Sequence, residues 1–167
     1  MINGTLCYLK SGGETLFLHR NRKGNDIHSG FYVAPGGRPE SGERGIDCLI
    51  REFEEETGLV VHDPRLKAIA TFYNQDRLLG SVTSPEDWLV EIYTATKFSG
   101  RLKEEEGRKS PPLWIPDRDV FRYPMHEGDR RIPELFGMEG IFQVLVKYDG
   151  TKLTHFNSVR VDISSPR

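Results

Sequence analysis

The sequence predicts an α+β domain built on a mixed sheet. Three observations carry that expectation. Runs of β-branched and aromatic residues recur along the whole chain, one well-marked helix stands among them near residues 43–57, and the last strands flank Asp149-Gly150, a strong hairpin signal. In order, Leu6 and Tyr8, then Thr15 to Leu18, read as two strands joined at Ser11-Gly12-Gly13, with glycine supplying the positive φ of a tight turn. A polar loop, Asn21 to Asp26, leads to the short strand Phe31 to Ala34, which Pro35-Gly36-Gly37 ends because proline lacks a ladder donor. Ser41-Gly42 opens the helix and Gly58 stops it after Thr57. Leu66 to Tyr73 and Trp88 to Phe98 read as strands, and the charged stretch Glu104 to Pro112 as a surface loop. Asp117 to Phe121 and Glu127 to Phe136 are short helices, the second broken by Pro133. Ile141 to Tyr148 and Leu153 to Val161 close the chain as a hairpin.

With 167 residues and no linker, repeat or low-complexity stretch, residues 1–167 are expected to form one domain. The net charge of −2 argues against a protein that grips a nucleic-acid polymer, which needs a clustered basic face. Cys7 and Cys48 lie far apart and suggest neither a disulfide framework nor a thiolate zinc site, so a cytoplasmic setting is the expectation. The chain shows no signal-peptide pattern and no apolar run approaching 18 residues, so no membrane partner is expected.

Charge concentrates in one place. Between Glu43 and Glu56 stand Glu43, Asp47, Glu52, Glu54, Glu55 and Glu56, against only Arg44 and Arg51. A helix advances about 100° per residue, so Glu52, Glu55 and Glu56, at i, i+3 and i+4, share one face. Ile46, Leu49, Ile50 and Phe53 form the adjoining apolar stripe that docks the helix on the sheet. Like charges at these spacings cost a few tenths of a kcal/mol each, and acids at the C-terminal end oppose the macrodipole. A bare acidic run is most often a solvated face. A compensating cation is the sharper reading, and carboxylates without His or Cys suit Mg²⁺, with Mn²⁺ as a substitute, rather than zinc. The five histidines are scattered and show no zinc spacing.

Context decides between these readings. Gly37, five residues, Glu43, seven residues, Arg51-Glu52-Phe53, one residue, Glu55-Glu56, one residue, Gly58-Leu59 is a spacing whose chance occurrence is on the order of 10⁻⁸ per starting position. It resembles the signature of the Nudix hydrolases, the MutT-like diphosphatases, with Phe53 where the family more often has an aliphatic residue. The resemblance implies an α/β/α sandwich around a mixed, curved sheet. It also implies Mg²⁺ held by Glu52, Glu55, Glu56 and the Gly37 carbonyl, and either Glu52 or Glu55 as general base. Glu43, expected in the first helical turn, would pair with Arg51 and brace the loop on the helix. Gly36-Gly37 would let the backbone turn sharply, so that a carbonyl points at the metal.

Further segments are similar to bacterial relatives of the oxidised-purine nucleoside triphosphatases: His19 to Arg22, Gly30 to Tyr32, Phe72, Glu91 to Tyr93, Trp114 to Pro116 and Glu127 to Arg130. This likeness implies that Glu127 or Asp129 helps read the base and that Glu106, with Glu104 and Glu105 as rivals, completes the metal site. For the acids at 127 and 129 the plain alternative is capping of a helix N-terminus; for residues 104–106 it is a solvated loop. Arg20, Tyr32, Arg38 and Phe72 are the other candidate substrate contacts, against ordinary roles as loop cations and core aromatics. Val33 and Met125 depart from the base-contacting Asn and stacking aromatic of animal relatives, and Arg38 replaces a lysine. The implied activity is hydrolysis of a nucleoside triphosphate, with oxidised purines preferred, to monophosphate and pyrophosphate, by a monomer or homodimer acting on a small-molecule nucleotide. ADP-ribose or a nucleotide sugar is the alternative substrate, and a non-catalytic nucleotide-binding module the alternative class.

Overall fold

The computed structural model describes residues 1–21, 28–74, 87–103 and 111–161. Ten strands, β1 (Ile2–Ser11), β2 (Glu14–His19), β3 (Tyr32–Val33), β4 (Leu59–His62), β5 (Arg65–Asn74), β6 (Trp88–Ala95), β7 (Lys97–Gly100), β8 (Pro112–Pro116), β9 (Ile141–Asp149) and β10 (Lys152–Val161), surround the helices α1 (Gly45–Thr57) and α2 (Glu127–Arg131). Short 3₁₀ segments cover Asp117–Arg122 and Ile132–Leu135, the latter beginning where Pro133 ends α2. The main sheet runs β10-β9-β5-β6-β1-β2-β3, with β8 on the other edge of β2. It is mixed, as expected: β1 with β6 and β5 with β9 are parallel, and the remaining pairs are antiparallel.

Alternation along β1 sorts the core into two layers. Cys7 and Leu9 point to the side where Leu49 and Phe53 of α1 pack, with Leu59, Val61 and Tyr93. Tyr8 points to the other side, among Ala70, Val90, Ile92, Val144 and Val146, under Ile132 and Leu135. The sheet is therefore covered on both faces, the arrangement the sequence implied.

Three boundaries differ from the sequence reading. The helix begins at Gly45 rather than at Ser41, because Gly42 sits at φ +80°, a left-handed angle that no helix continues. Glu43 thus precedes the helix. The run Trp88 to Phe98 divides into β6 and β7, since β7 leaves the main sheet to pair with β4, a short strand the pattern did not mark. Pro112, read as loop, opens β8; this strand tolerates its two prolines because it lies at a sheet edge. The β1–β2 turn, the β9–β10 hairpin and the Gly58 stop, at φ +81° with its N–H on the Glu54 carbonyl, stand where they were predicted.

The hairpin of β1 and β2 holds register only at Lys10–Thr15 and Ser11–Glu14. Beyond that point residues 32–37 run between the two strands. Tyr32 and Val33 pair with β2, while the Pro35 and Gly37 carbonyls accept the Cys7 and Thr5 N–H groups of β1 at 2.9 and 2.8 Å. Gly36 is pressed so closely on β1 that a Cβ there would stand 1.9 Å from the Thr5 carbonyl oxygen. Glycine is demanded by this approach, and not by a turn angle, since neither Gly36 nor Gly37 has a positive φ. Gly36→Ala is expected to lower unfolding free energy in urea titrations by about 3 kcal/mol, from a backbone clash that cannot relax. Gly137→Ala, with nothing within 4 Å of the added carbon, is expected to change it by less than about 0.5 kcal/mol.

Candidate active site

The segment of residues 32–37 that runs between β1 and β2 meets α1 at its glutamates. A Cβ on Gly37 would lie 2.2 Å from the carboxyl carbon of Glu52, so the bare backbone of residue 37 and that carboxylate are in direct contact. One turn further, Glu56 accepts the Gly36 N–H at 3.0 Å. The Gly37 carbonyl accepts the Thr5 N–H at 2.8 Å and, more weakly, the Thr5 hydroxyl at 3.4 Å. Loop and helix face are thus joined by the residues that the spacing singled out.

Arg51 organises the charge. Its Nε and Nη2 hold Glu43 bidentately at 2.8 Å each, Nη1 holds Glu52 at 2.8 Å and approaches Glu55 at 3.7 Å, and Nη2 also reaches the Arg38 carbonyl at 3.4 Å. Glu43 further accepts the Glu40 N–H at 2.8 Å. The Arg51 hydrogen bonds first, and that N–H second, hold the Glu43 carboxyl down to about 2, and the same pairs keep Arg51 firmly charged. The brace expected between Glu43 and Arg51 exists, with Glu43 placed before the helix rather than within its first turn. The triad of Glu52, Glu55 and Glu56 occupies one face, but its members splay: two lean on Arg51 and the third on Gly36. Among the described residues no three acidic, imidazole or thiol groups converge into a closed cage. The donors themselves are hard oxygens, carboxylates beside a backbone carbonyl, which suits Mg²⁺ or Mn²⁺. Glu55 is the most open of the three acids paired with Arg51, its side chain 61% exposed against 22% for Glu52.

On the opposite face of the sheet lies Asp129, half-buried near Tyr8 and Tyr148. Burial lifts its carboxyl to about 7. No side chain caps α2; Glu127 instead accepts the Leu153 N–H at 3.3 Å, and the Tyr148 hydroxyl accepts the Gly128 N–H at 2.8 Å. Neither acid caps α2 by a hydrogen bond, although both stand in its first turn, where their charge complements the helix dipole. Phe72 pairs with Trp88 and Val146 and packs half-buried on this face. Tyr32 has one ring face on His19, 4.5 Å away and nearly coplanar, and the edge contact of Tyr123 at 4.9 Å. It is a packed aromatic with one face already taken. Arg20 follows β2, tied through its backbone to Phe31 and Gly30. Arg38 lies over the Trp88 indole at 4.6 Å. Glu104, Glu105 and Glu106, with Arg22, lie outside the described residues.

Two residues of this neighbourhood carried no signal in the sequence. Thr5 bonds the Gly37 carbonyl through its backbone N–H at 2.8 Å, and its buried hydroxyl adds a contact to the same carbonyl at 3.4 Å. Trp88 reaches the site only through strand register, facing Ile2 and Phe72. A cavity of about 590 Å³ bordered by Ile46, His62, Pro64 and Thr96 involves none of the acids of the motif.

A NUDIX domain profile matches residues 3–136. The chain belongs to the Nudix family. It is 34% identical over 138 residues to the Nudix hydrolase YvcI of Bacillus subtilis, covering 81% of this chain and 78% of that one. Among solved structures it is similar to the mutator MutT protein of Bacillus halodurans, with 26% identity, a TM-score of 0.78, and 95% and 97% of the two chains covered. The NUDIX domain of Shewanella oneidensis NrtR, solved in complex with ADP-ribose, shares the fold at 17% identity and a TM-score of 0.62 over 82% and 86% of the chains. As a Nudix hydrolase, the protein acts on substrates built on a nucleoside diphosphate, and such enzymes generally use divalent cations such as Mg²⁺.

Two outcomes follow from this geometry. Gly37→Ala is expected to keep its fold, by circular dichroism, while losing most turnover, because the added carbon meets the movable end of Glu52 rather than backbone. Asp129 has a folded-state carboxyl above its ordinary value of 3.8, so its contribution to stability falls as pH rises from about 4 to about 7. Asp129→Asn removes that fall; its melting temperature relative to wild type is expected to rise by about 2–4 °C between pH 4 and pH 8 in thermal-shift measurements, a modest figure because the group is partly solvated.

Proposed function

We propose that this Nudix hydrolase cleaves nucleoside triphosphates, oxidised purine nucleotides in preference, to the monophosphate and pyrophosphate. The observation that carries the reading is the pairing of two features across the sheet: Glu52 seated on the Gly37 backbone at one side, and a carboxyl poised near pH 7 beneath aromatic residues at the other. Asp129 can offer either a donor or an acceptor at neutral pH, which suits a purine whose donor and acceptor pattern oxidation has altered. Phe72 supplies apolar contact on the same face, and Glu127 stands at its rim.

Glu52, Glu55, Glu56 and the Gly37 carbonyl would hold Mg²⁺, with Mn²⁺ as a substitute and an acid of residues 104–106 as a further ligand; the Thr5 hydroxyl, which meets that carbonyl at 3.4 Å, would turn away toward the Cys48 sulfur. When bound, the cation supplies charge neutralisation for the diphosphate and lowers the pKa of water. Glu55, the least committed of the acids, accepts the proton of the attacking water. Arg51 keeps Glu52 and Glu55 oriented while Glu43 fixes Arg51. The ligand is a small nucleotide rather than a polymer, in keeping with the charge of −2. No helix among the described residues is long and apolar enough to cross a membrane, and both cysteines are unpaired, which supports a cytoplasmic setting.

Incubation with Mg²⁺ and a panel of 8-oxo-dGTP, dGTP, ATP, ADP-ribose and a nucleotide sugar, with monophosphate and pyrophosphate quantified, tests the reading. Highest kcat/KM is expected on the oxidised purine triphosphate; preferential cleavage of ADP-ribose or a nucleotide sugar would replace it, and absence of turnover with retained binding would indicate a binding module. Glu55→Gln is expected to lower kcat by about 10²–10⁴-fold, the range for loss of a general base. A fall of only a few-fold would remove Glu55 from that role.

A further inference from the structure

Trp88 opens β6 half-buried on the face that carries Asp129. The missing side chain of Gly4, on the neighbouring strand, makes room for it: a Cβ at residue 4 would stand 3.4 Å from the indole ring and 3.7 Å from the Gly37 carbonyl oxygen. Indole and Gly37 carbonyl are therefore neighbours across one bare residue. Arg38 follows Gly37 and lays its guanidinium over the indole, 4.6 Å from the ring centroid. Two arginines thus flank the same loop, and they are used differently. Arg51 is saturated by Glu43 and Glu52. Arg38 is exposed and makes no ion pair within the described residues, although acids crowd α1 nearby.

An arginine stacked on tryptophan gains from the ring face while its N–H donors, which lie in the guanidinium plane, stay open at the edge. Such a fork matches phosphate geometry bidentately, and stacking removes most of the rotamer freedom that a free arginine loses on binding. We propose that Trp88 is a positioning residue that holds Arg38 as a phosphate-binding fork beside the Gly37 loop. The inference rests on the reading above in taking the polyphosphate of that substrate as its ligand. It adds that affinity for the phosphates depends on an aromatic residue that touches neither substrate nor cation.

The test is a double-mutant cycle read by calorimetric binding of inorganic tripolyphosphate with Mg²⁺, alongside steady-state kinetics on the preferred nucleotide. Trp88→Leu is expected to weaken tripolyphosphate binding and raise KM about tenfold with kcat changed less than threefold, and Trp88→Phe, which restores a ring, to stay within about twofold of wild type. Arg38→Ala is expected to show a loss at least as large, and Trp88→Leu added to it to cost nothing more. Losses that add, or unchanged binding in Trp88→Leu, would overturn the proposal. Should Trp88→Leu fail to fold, Trp114→Phe leaves Trp88 as the lone tryptophan reporter: its fluorescence is expected to change on adding tripolyphosphate in that background and not in Arg38→Ala combined with it, and no change in either would overturn the proposal. If no nucleotide turns over while tripolyphosphate binding keeps this dependence, the proposed reaction falls and the fork stands; turnover with additive losses gives the reverse.

Discussion

The contact between the Gly36-Gly37 backbone and its two neighbours, β1 on one side and Glu52 on the other, is the constraint on which the rest of the structure hangs. Because β1 and β2 keep register only beside their turn, the Thr5 and Cys7 N–H groups need partners elsewhere, and the Pro35 and Gly37 carbonyls supply them. That places residues 36 and 37 within van der Waals reach of a strand and a helix at once, a space with no room for a side chain. The loop in turn fixes where α1 docks. Glu56 bonds back to Gly36, and at the other end of the helix the Glu91 carboxylate, bonded by the Tyr93 hydroxyl at 2.5 Å, occupies the space that a side chain at Gly45 would need. The acid near the helix N-terminus also complements its dipole.

Electrostatics then explains an arrangement that local propensity disfavours. The last two turns of α1 carry four glutamates at the end where the dipole prefers cations, and no basic residue stands in the final turn. Arg51 offsets part of this by serving three carboxylates, and Lys103 reaches the Glu55 carbonyl at 2.5 Å at the helix end. Neither neutralises the face that Glu52, Glu55 and Glu56 share. A face kept electronegative in this way suits a small hard cation, through which, on the proposed reading, a phosphate chain would be held. A protein of near-zero net charge can thus handle a polyanion without a basic surface.

How much of this was legible in the sequence depends on whether a feature is local. The acids sit at helical spacing, so their shared face and the Gly58 stop followed from the chain alone. The pairing of Glu43 with Arg51 followed from helical spacing, although Gly42 takes a left-handed angle and delays the helix past Glu43. What lay outside reach was set by strand register. The need for glycine at 36 and 37 came from close approach and not from turn angles. The run from Trp88 to Phe98 split because β7 finds β4, a partner far away in the chain. Trp88 itself became visible as a neighbour of Gly37 only once β6 was laid beside β1. Asp129 stood out in the sequence as an acid, but the desolvation that lifts its carboxyl belongs to the folded neighbourhood of Tyr8 and Tyr148 and has no local signal.

The central claim is that the Glu52, Glu55 and Glu56 face is held together for a divalent cation. Its most direct measurement is the melting temperature as Mg²⁺ is titrated into chelator-treated protein, for wild type and for the triple Glu52→Gln, Glu55→Gln, Glu56→Gln variant. The account predicts that wild type is stabilised by Mg²⁺ along a saturating curve, as expected for a ligand that binds only the folded state, whereas the triple variant folds and shows no such rise. An equal rise in both proteins, or none in wild type, would contradict it.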